Sequence, residues 1–151
     1  MTMTLTINGI RCHWEGPAGT TLLELLRAKG LMGAKEGCDT GNCGLCTVWL
    51  DGEPVLSCCV PAARAAGRQV TTIEGVRQEA ALVGQYLAEH GSEQCGYCSP
   101  GLVMTVLALE RELPEASDGE ITDYLAGNLC RCSGYAAQLD GIRAYLRRER
   151  T

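Results

Sequence analysis

Cysteine placement constrains this chain more than any other feature. Eight of its ten cysteines fall into two sets of four. Cys38, Cys43 and Cys46 follow a C-x4-C-x2-C spacing inside the glycine-rich run at 37–46, with Cys58 further on, which is the spacing that holds a plant-type [2Fe–2S] cluster. Cys95 and Cys98 form a C-x2-C pair, and Cys130 and Cys132 a C-x-C pair. Two metal-cluster sites on one small chain, with no nucleophile or acid–base constellation beside them, read as a conduit for electrons.

The residue types follow from the chemistry. A [2Fe–2S] core is bound by four soft thiolates, and a tight loop has to bring three of them to one side of it. Gly37, Gly41 and Gly44 suit that loop, because without Cβ they allow positive φ and let backbone N–H groups turn toward sulfur. Two ferric ions, two sulfides and four thiolates leave each oxidised site with a formal charge of about −2. Two such sites would deepen the chain's formal net charge of −5. Desolvating that charge is unfavourable, so N–H donors are required around both quartets.

Other uses of ten cysteines fit less well. A disulfide scaffold belongs in a secreted chain, whereas residues 1–6 have neither a basic start nor an apolar signal core. Structural zinc usually takes two C-x2-C knuckles or Cys/His mixtures; the second quartet alone passes for such a site, but the two quartets together do not. A thioredoxin-like redox pair needs one C-x2-C at a helix start, not eight cysteines.

At 151 residues the chain accommodates one ordinary domain or two small ones, and each half contains its own quartet. The expectation is two domains, 1–75 and 76–151. With no Phe and 5% aromatic residues, each has little core, so the metal sites are expected to contribute to stability. The acidic balance and scarce aromatics argue against a nucleic-acid surface, and no apolar run has the length of a transmembrane helix. A soluble, cytoplasmic chain is expected, with periplasmic export alongside a partner left open.

Alternation around Asn8-Gly9 predicts a hairpin of strands at 2–8 and 10–15. Thr20 or Thr21 caps a short helix at 22–27 that Gly30 stops. Strands at 47–50 and 54–56 flank an Asp51-Gly52 turn, and a last strand runs over 69–73. The second half reads as helices at 79–90, 100–111, 118–126 and 138–148, enough for a small bundle. Cys95/Cys98 precede the second of these and Cys130/Cys132 the fourth, so two helix N-termini are expected to aim N–H groups at one anionic cluster.

The runs at 37–48, 57–58, 72–75, 94–101 (Gln94-Cys95-Gly96-Tyr97-Cys98-Ser99-Pro100-Gly101) and 127–135 (Gly127-Asn128-Leu129-Cys130-Arg131-Cys132-Ser133-Gly134-Tyr135) closely resemble the small iron–sulfur subunit of the molybdenum hydroxylases, the xanthine oxidase family. The resemblance covers nearly the whole chain in the same order. It implies an α+β architecture: an N-terminal plant-ferredoxin-like β-grasp domain followed by a C-terminal four-helix-bundle domain, each with one [2Fe–2S] cluster. It also implies partners: a large subunit carrying molybdenum on a pterin dinucleotide, and usually a medium subunit carrying FAD. On this pattern electrons pass from molybdenum through the Cys95 quartet and then the Cys38 quartet to the acceptor. Gln94, by residue type a loop-surface amide, matches a family glutamine that hydrogen-bonds the pterin, and Cys132 matches a ligand that also approaches it. The different-class alternative is a free-standing two-cluster ferredoxin; a third is a zinc-binding interaction module. Gln138 departs from the pattern, which usually has an apolar residue there, so irregular packing is expected at the start of the last helix.

The remaining candidates read as structural. Cys12 lies on the hairpin as a small buried hydrophobe. Cys59 adjoins Cys58, and the Ser57-Cys58 match makes Cys58 the ligand. Arg143, Arg147, Arg148 and Arg150 form a basic helix end that complements the helix dipole.

Overall fold

The computed structural model describes residues 1–149; Arg150, the last member of the basic C-terminal group, lies outside them. Strands β1 (Thr2–Ile7) and β2 (Ile10–Glu15) form the hairpin expected from Asn8-Gly9. Both turn residues have positive φ, 50° and 80°, the type I′ geometry that matches the right-handed twist of paired strands. The same geometry at Asp51-Gly52 joins β3 (Thr47–Leu50) to β4 (Glu53–Leu56). With β5 (Gln69–Thr71) they build one mixed sheet in the order β2-β1-β5-β3-β4, in which only β1 and β5 run parallel. Helix α1 (Leu22–Ala28) starts at Thr21 in a capping box with Glu24 and ends before Gly30 at φ 82°. Its fully buried Leu22, Leu25 and Leu26 pack with Leu5, Ile7, Val48 and Val70 to make the first core.

The last strand is shorter than the sequence predicts, because the chain leaves the sheet after Thr71 and turns through a 3-10 segment at Ile73–Gly75. Side chains drive that departure. Asn8 accepts from the Thr72 amide and donates to the Thr72 hydroxyl, both at 2.9 Å, and Glu74 accepts from the Gly33 amide at 2.8 Å. The segment is thereby fastened to the hairpin and to the loop after α1. From there α2 (Arg77–Glu89), α3 (Ser99–Glu112), α4 (Asp118–Tyr124) and α5 (Ala136–Leu146) follow. α2 packs on α3 and α5, and α4 on α5, around Val83, Leu87, Val106, Leu109, Ile121 and Ile142. No helix among the described residues is long and apolar enough to cross a membrane.

Trp49 connects the two cores. β3 is buried on both faces, with Val48 and Leu50 in the sheet core and Trp49 in the helical one. The Trp49 indole donates to the Met104 carbonyl at 3.0 Å, and the Arg111 guanidinium lies 3.9 Å above its ring while donating to the Gly52 carbonyl. The apolar run Val48-Trp49-Leu50 fits a strand buried on both faces, but nothing in the sequence says that α3 is what covers the second one. Gln138, the residue that departs from the family pattern, is 6% exposed in α5. The basic helix end is paired: Arg148 to Glu110 at 2.7 Å, and Arg143 and Arg147 to Asp118. Cys12 is half-buried on the edge strand rather than fully enclosed, because β2 has no neighbour on its outer side.

The helical half meets the sheet half by backbone contact. A Cβ on Gly101 of α3 would lie 2.4 Å from the Gly44 carbonyl oxygen and 2.9 Å from Leu45 Cα, both backbone atoms that cannot swing away. Gly101→Ala should therefore destabilise the protein by about 1–3 kcal/mol. Gly84→Ala should stabilise it by about 0.5–1 kcal/mol, since that Cβ would meet nothing within 4 Å in the middle of α2. Denaturant midpoints of the two variants check both signs; a neutral Gly101→Ala would contradict the close approach.

Candidate metal centres

The first cysteine loop lies between α1 and β3, and its fourth member comes from the 3-10 turn Ser57–Cys59 after β4. Register brings them together. Thr47 pairs with Leu56 at the end of the β3-β4 ladder, so Cys46 and Cys58 emerge side by side with their sulfurs 3.4 Å apart. Ser57, fully buried, fixes the turn by donating to the Cys46 carbonyl at 2.7 Å. Cys38 and Cys43 form the other pair, thiol to thiol. Gly41 and Gly44 take positive φ, 68° and 74°, and Gly37 is needed for space, since its Cβ would lie 2.5 Å from Leu45 Cδ2. Cys59 is exposed, its sulfur 3.6 Å from that of Cys58.

The second set is also paired. Cys132 and Cys95 have sulfurs 3.4 Å apart, and Cys98 meets Cys130. Cys98 is itself the N-cap of α3, where Pro100 suits the first turn. α5 begins at Ala136, two residues before the expected start, yet the amides that reach Cys130 come from Cys132 and Ser133 in the loop and not from the helix N-terminus. Gly134 at φ 74° is the cause, turning the chain back before the helix starts. The Tyr135 hydroxyl accepts from the Cys130 amide and donates to the Cys130 carbonyl, both at 3.2 Å. Gln94 stands exposed beside the set and donates from its side chain to the Cys132 carbonyl at 3.4 Å.

Local donors favour anionic sulfur at three positions, one of them Cys95, which the Tyr97 amide and the Cys132 thiol bring down. The Asn42 amide, with the Cys43 thiol and the Thr40 and Cys43 amides, brings the Cys38 thiol down to about 6. Burial works against ionisation of Cys130, yet the Ser133 hydroxyl and the Cys132 and Ser133 amides outweigh it and hold that thiol at about 7. Burial pushes Cys58 up, and pushes Cys98 up to about 12. Each quartet thus holds at least one sulfur that ionises readily, Cys38 or Cys130, and at least one whose burial opposes ionisation, Cys58 or Cys98.

These donors fit a binuclear iron–sulfur core. Among the described residues no three metal-binding side chains converge as they would on a single ion. The thiols come two by two, and the 3.4 Å separations in Cys46–Cys58 and Cys95–Cys132 are close to the separation of about 3.8 Å expected for two thiolates on one tetrahedral metal with bonds of about 2.3 Å. Two such pairs per site match the four-thiolate ligand set of a [2Fe–2S] cluster.

The two sets adjoin. The Leu129 amide donates to the Cys43 carbonyl at 2.9 Å, so a single hydrogen bond joins the residue before Cys130 to a member of the first set. Asn128 reaches the Gly44 carbonyl at 3.4 Å. Tyr97, between Cys95 and Cys98, donates to the Glu36 carbonyl at 2.8 Å, with Lys35 over its ring at 5.7 Å. A cleft of about 470 Å³ runs between the sets and is lined by Cys38, Cys43, Cys95, Cys98, Cys130 and Cys132. Sequence reading assigns Tyr97, Leu129, Ser133 and Tyr135 no individual role; the signals that point to them are their adjacency to cysteines and their place in the runs at 94–101 and 127–135.

Comparison with known proteins agrees with this geometry. Residues 5–69 match the 2Fe-2S iron-sulfur cluster binding domain and residues 72–143 the [2Fe-2S] binding domain. The chain is 43% identical to the nicotinate dehydrogenase small FeS subunit of Eubacterium barkeri, over 89% of this chain and 88% of the relative. It is 46% identical to the xanthine dehydrogenase iron-sulfur-binding subunit of Escherichia coli O157:H7, over 89% and 87%. Among solved structures, quinoline 2-oxidoreductase from Pseudomonas putida 86 superposes with a TM-score of 0.87 at 35% identity, covering 97% of this chain and 96% of the matched one. Aldehyde oxidoreductase from Desulfovibrio gigas gives 0.86 at 35%, with this chain spanning 17% of that one.

Two cluster-binding units predict about four iron and four acid-labile sulfide per chain after anaerobic purification. Two distinct paramagnetic signals should appear on reduction, and zinc as the stoichiometric metal would contradict the assignment. A sheet unit and a helical unit, each built around paired thiols and matched over nearly full length by such subunits, show that the chain belongs to the iron–sulfur subunits of the xanthine oxidase family of dehydrogenases.

Proposed function

We propose that the chain carries electrons within a molybdenum hydroxylase, from a large subunit holding molybdenum on a pterin dinucleotide to FAD or another acceptor on a further subunit. The observation that supports this reading most is the seam between the two cysteine sets, where the Leu129 amide meets the Cys43 carbonyl. Cys38, Cys43, Cys46 and Cys58 are the ligands of one cluster, held by the unit at 1–75, and Cys95, Cys98, Cys130 and Cys132 those of the other, held by the unit at 76–151. When bound, a [2Fe–2S] core supplies reversible one-electron transfer.

The direction is the one the family resemblance implies, and exposure supports it: Cys95 and Cys132 are exposed, whereas Cys43 and Cys46 are buried. The Cys95 quartet is the entry, with Gln94 and Cys132 facing the pterin, and Gln94 is already oriented by its bond to the Cys132 carbonyl. The Cys38 quartet is the exit, reached through a second opening lined by Glu24, Arg27, Asp39, Cys58 and Cys59. The chain itself holds no substrate chemistry, and the complex works in the cytoplasm.

Cys58→Ser should abolish or alter one paramagnetic signal and leave the other, while Cys59→Ser and Cys12→Ser spare both. Loss of a cluster in Cys59→Ser instead would reassign the fourth ligand. In the assembled enzyme, Cys43→Ser should leave substrate able to reduce the molybdenum and the second quartet while blocking the external acceptor. Cys130→Ser should stop electrons at the molybdenum. Rapid-mixing spectroscopy with substrate and no acceptor separates the two; normal reduction of the Cys38 quartet in Cys130→Ser would reverse the order.

A further inference from the structure

The loop from Cys130 to Tyr135 closes on itself in a way that the ligand set alone does not require. A phenol hydroxyl has one proton and two lone pairs, and Tyr135 uses it on both backbone polar groups of Cys130, accepting from the amide and donating to the carbonyl. The Ser133 hydroxyl lies 3.3 Å from the Cys130 sulfur. Gly134 supplies the left-handed turn, and its Cβ would meet nothing within 4 Å, so glycine is there for conformation and not for space. Tyr135 is also the N-cap residue of α5. That helix is seated tightly on α2, where a Cβ on Gly141 would lie 3.1 Å from the Tyr86 carbonyl oxygen. The tyrosine therefore ties one ligand of the second quartet to a fixed helix, although the residue is 54% exposed and contributes little to the core.

Resting on the two-cluster reading above, we infer that Ser133 and Tyr135 are positioning residues for the second cluster: Ser133 sets its reduction potential through the Cys130 sulfur, and Tyr135 holds Cys130 in place against loss of iron. A donor to a ligand sulfur stabilises the reduced cluster, which carries one more negative charge, so its removal makes reduction harder. A backbone clamp acts differently. It restricts the ligand to its bound position and slows its departure from the metal.

The test uses the full chain, purified anaerobically, with the signal that survives Cys58→Ser marking the second quartet. Ser133→Ala should shift the midpoint potential of that signal to more negative values and leave the first unmoved. Ser133→Thr, which keeps the hydroxyl, should restore it. Tyr135→Phe, which removes only an oxygen, should accelerate iron loss from the second cluster to a chelator by about 10-fold. It should also broaden the second signal. If Ser133→Ala loses the second cluster outright, retention at the wild-type potential in Ser133→Thr supports the assignment, and loss in both overturns it. An unchanged potential in Ser133→Ala, equal shifts of both signals, or an unchanged iron-loss rate in Tyr135→Phe also overturns it. A wild-type chain lacking a second iron–sulfur signal would remove the functional reading itself, and is seen before any variant is made.

Discussion

The approach of backbone to backbone at Gly44 is the contact on which both metal centres depend. Gly44 lies in the first cysteine loop, and a Cβ there would come within 2.3 Å of the Gly127 carbonyl oxygen. Gly101, at the start of α3, presses on the same residue from the other side. Only chains without side chains at these points can place a cysteine loop of the sheet half directly against the two cysteine loops of the helical half. The Leu129 and Asn128 hydrogen bonds to Cys43 and Gly44 follow from that proximity.

Charge explains why the loops are rich in inward-facing amides. Paired thiolates and sulfide bring negative charge into a region of restricted solvent, and such charge persists only where donors surround it. Cys38 and Cys130 illustrate the solution. One gathers amides from its own tight loop, and the other adds a serine hydroxyl. Helix termini serve the second set unequally, since α3 starts on Cys98 whereas α5 starts four residues beyond Cys132 and loop amides reach Cys130 instead.

Rigidity matters as much as charge. Electron transfer over a fixed gap is best served by sites that do not move relative to one another, and the seam is closed at several independent points. Tyr97 holds the second set to the loop before Cys38, Trp49 and Arg111 hold α3 to the sheet, and Asn8 with Glu74 secures the connecting segment. None of these residues is a metal ligand. Each is a polar tip on a side chain whose partner is a backbone carbonyl or amide from the other half or from the crossing between halves.

The sequence by itself determined which cysteines form the two sets, the hairpin at Asn8-Gly9, a threonine cap at Thr20 or Thr21 and the four helices of the second half, because each of these rests on local spacing, turn chemistry or periodicity. It also carried the family, through runs of residues too long and too specific to recur by chance. Tertiary structure alone decided how the thiols pair, which residues brace Cys130, what covers the second face of β3, and that the two sets lie side by side. Those outcomes depend on contacts between segments far apart in the chain, such as Trp49 with Met104 or Gly44 with Asn128. Such contacts leave no periodic trace in the chain, and a glycine required for close approach reads the same in sequence as one required for a turn.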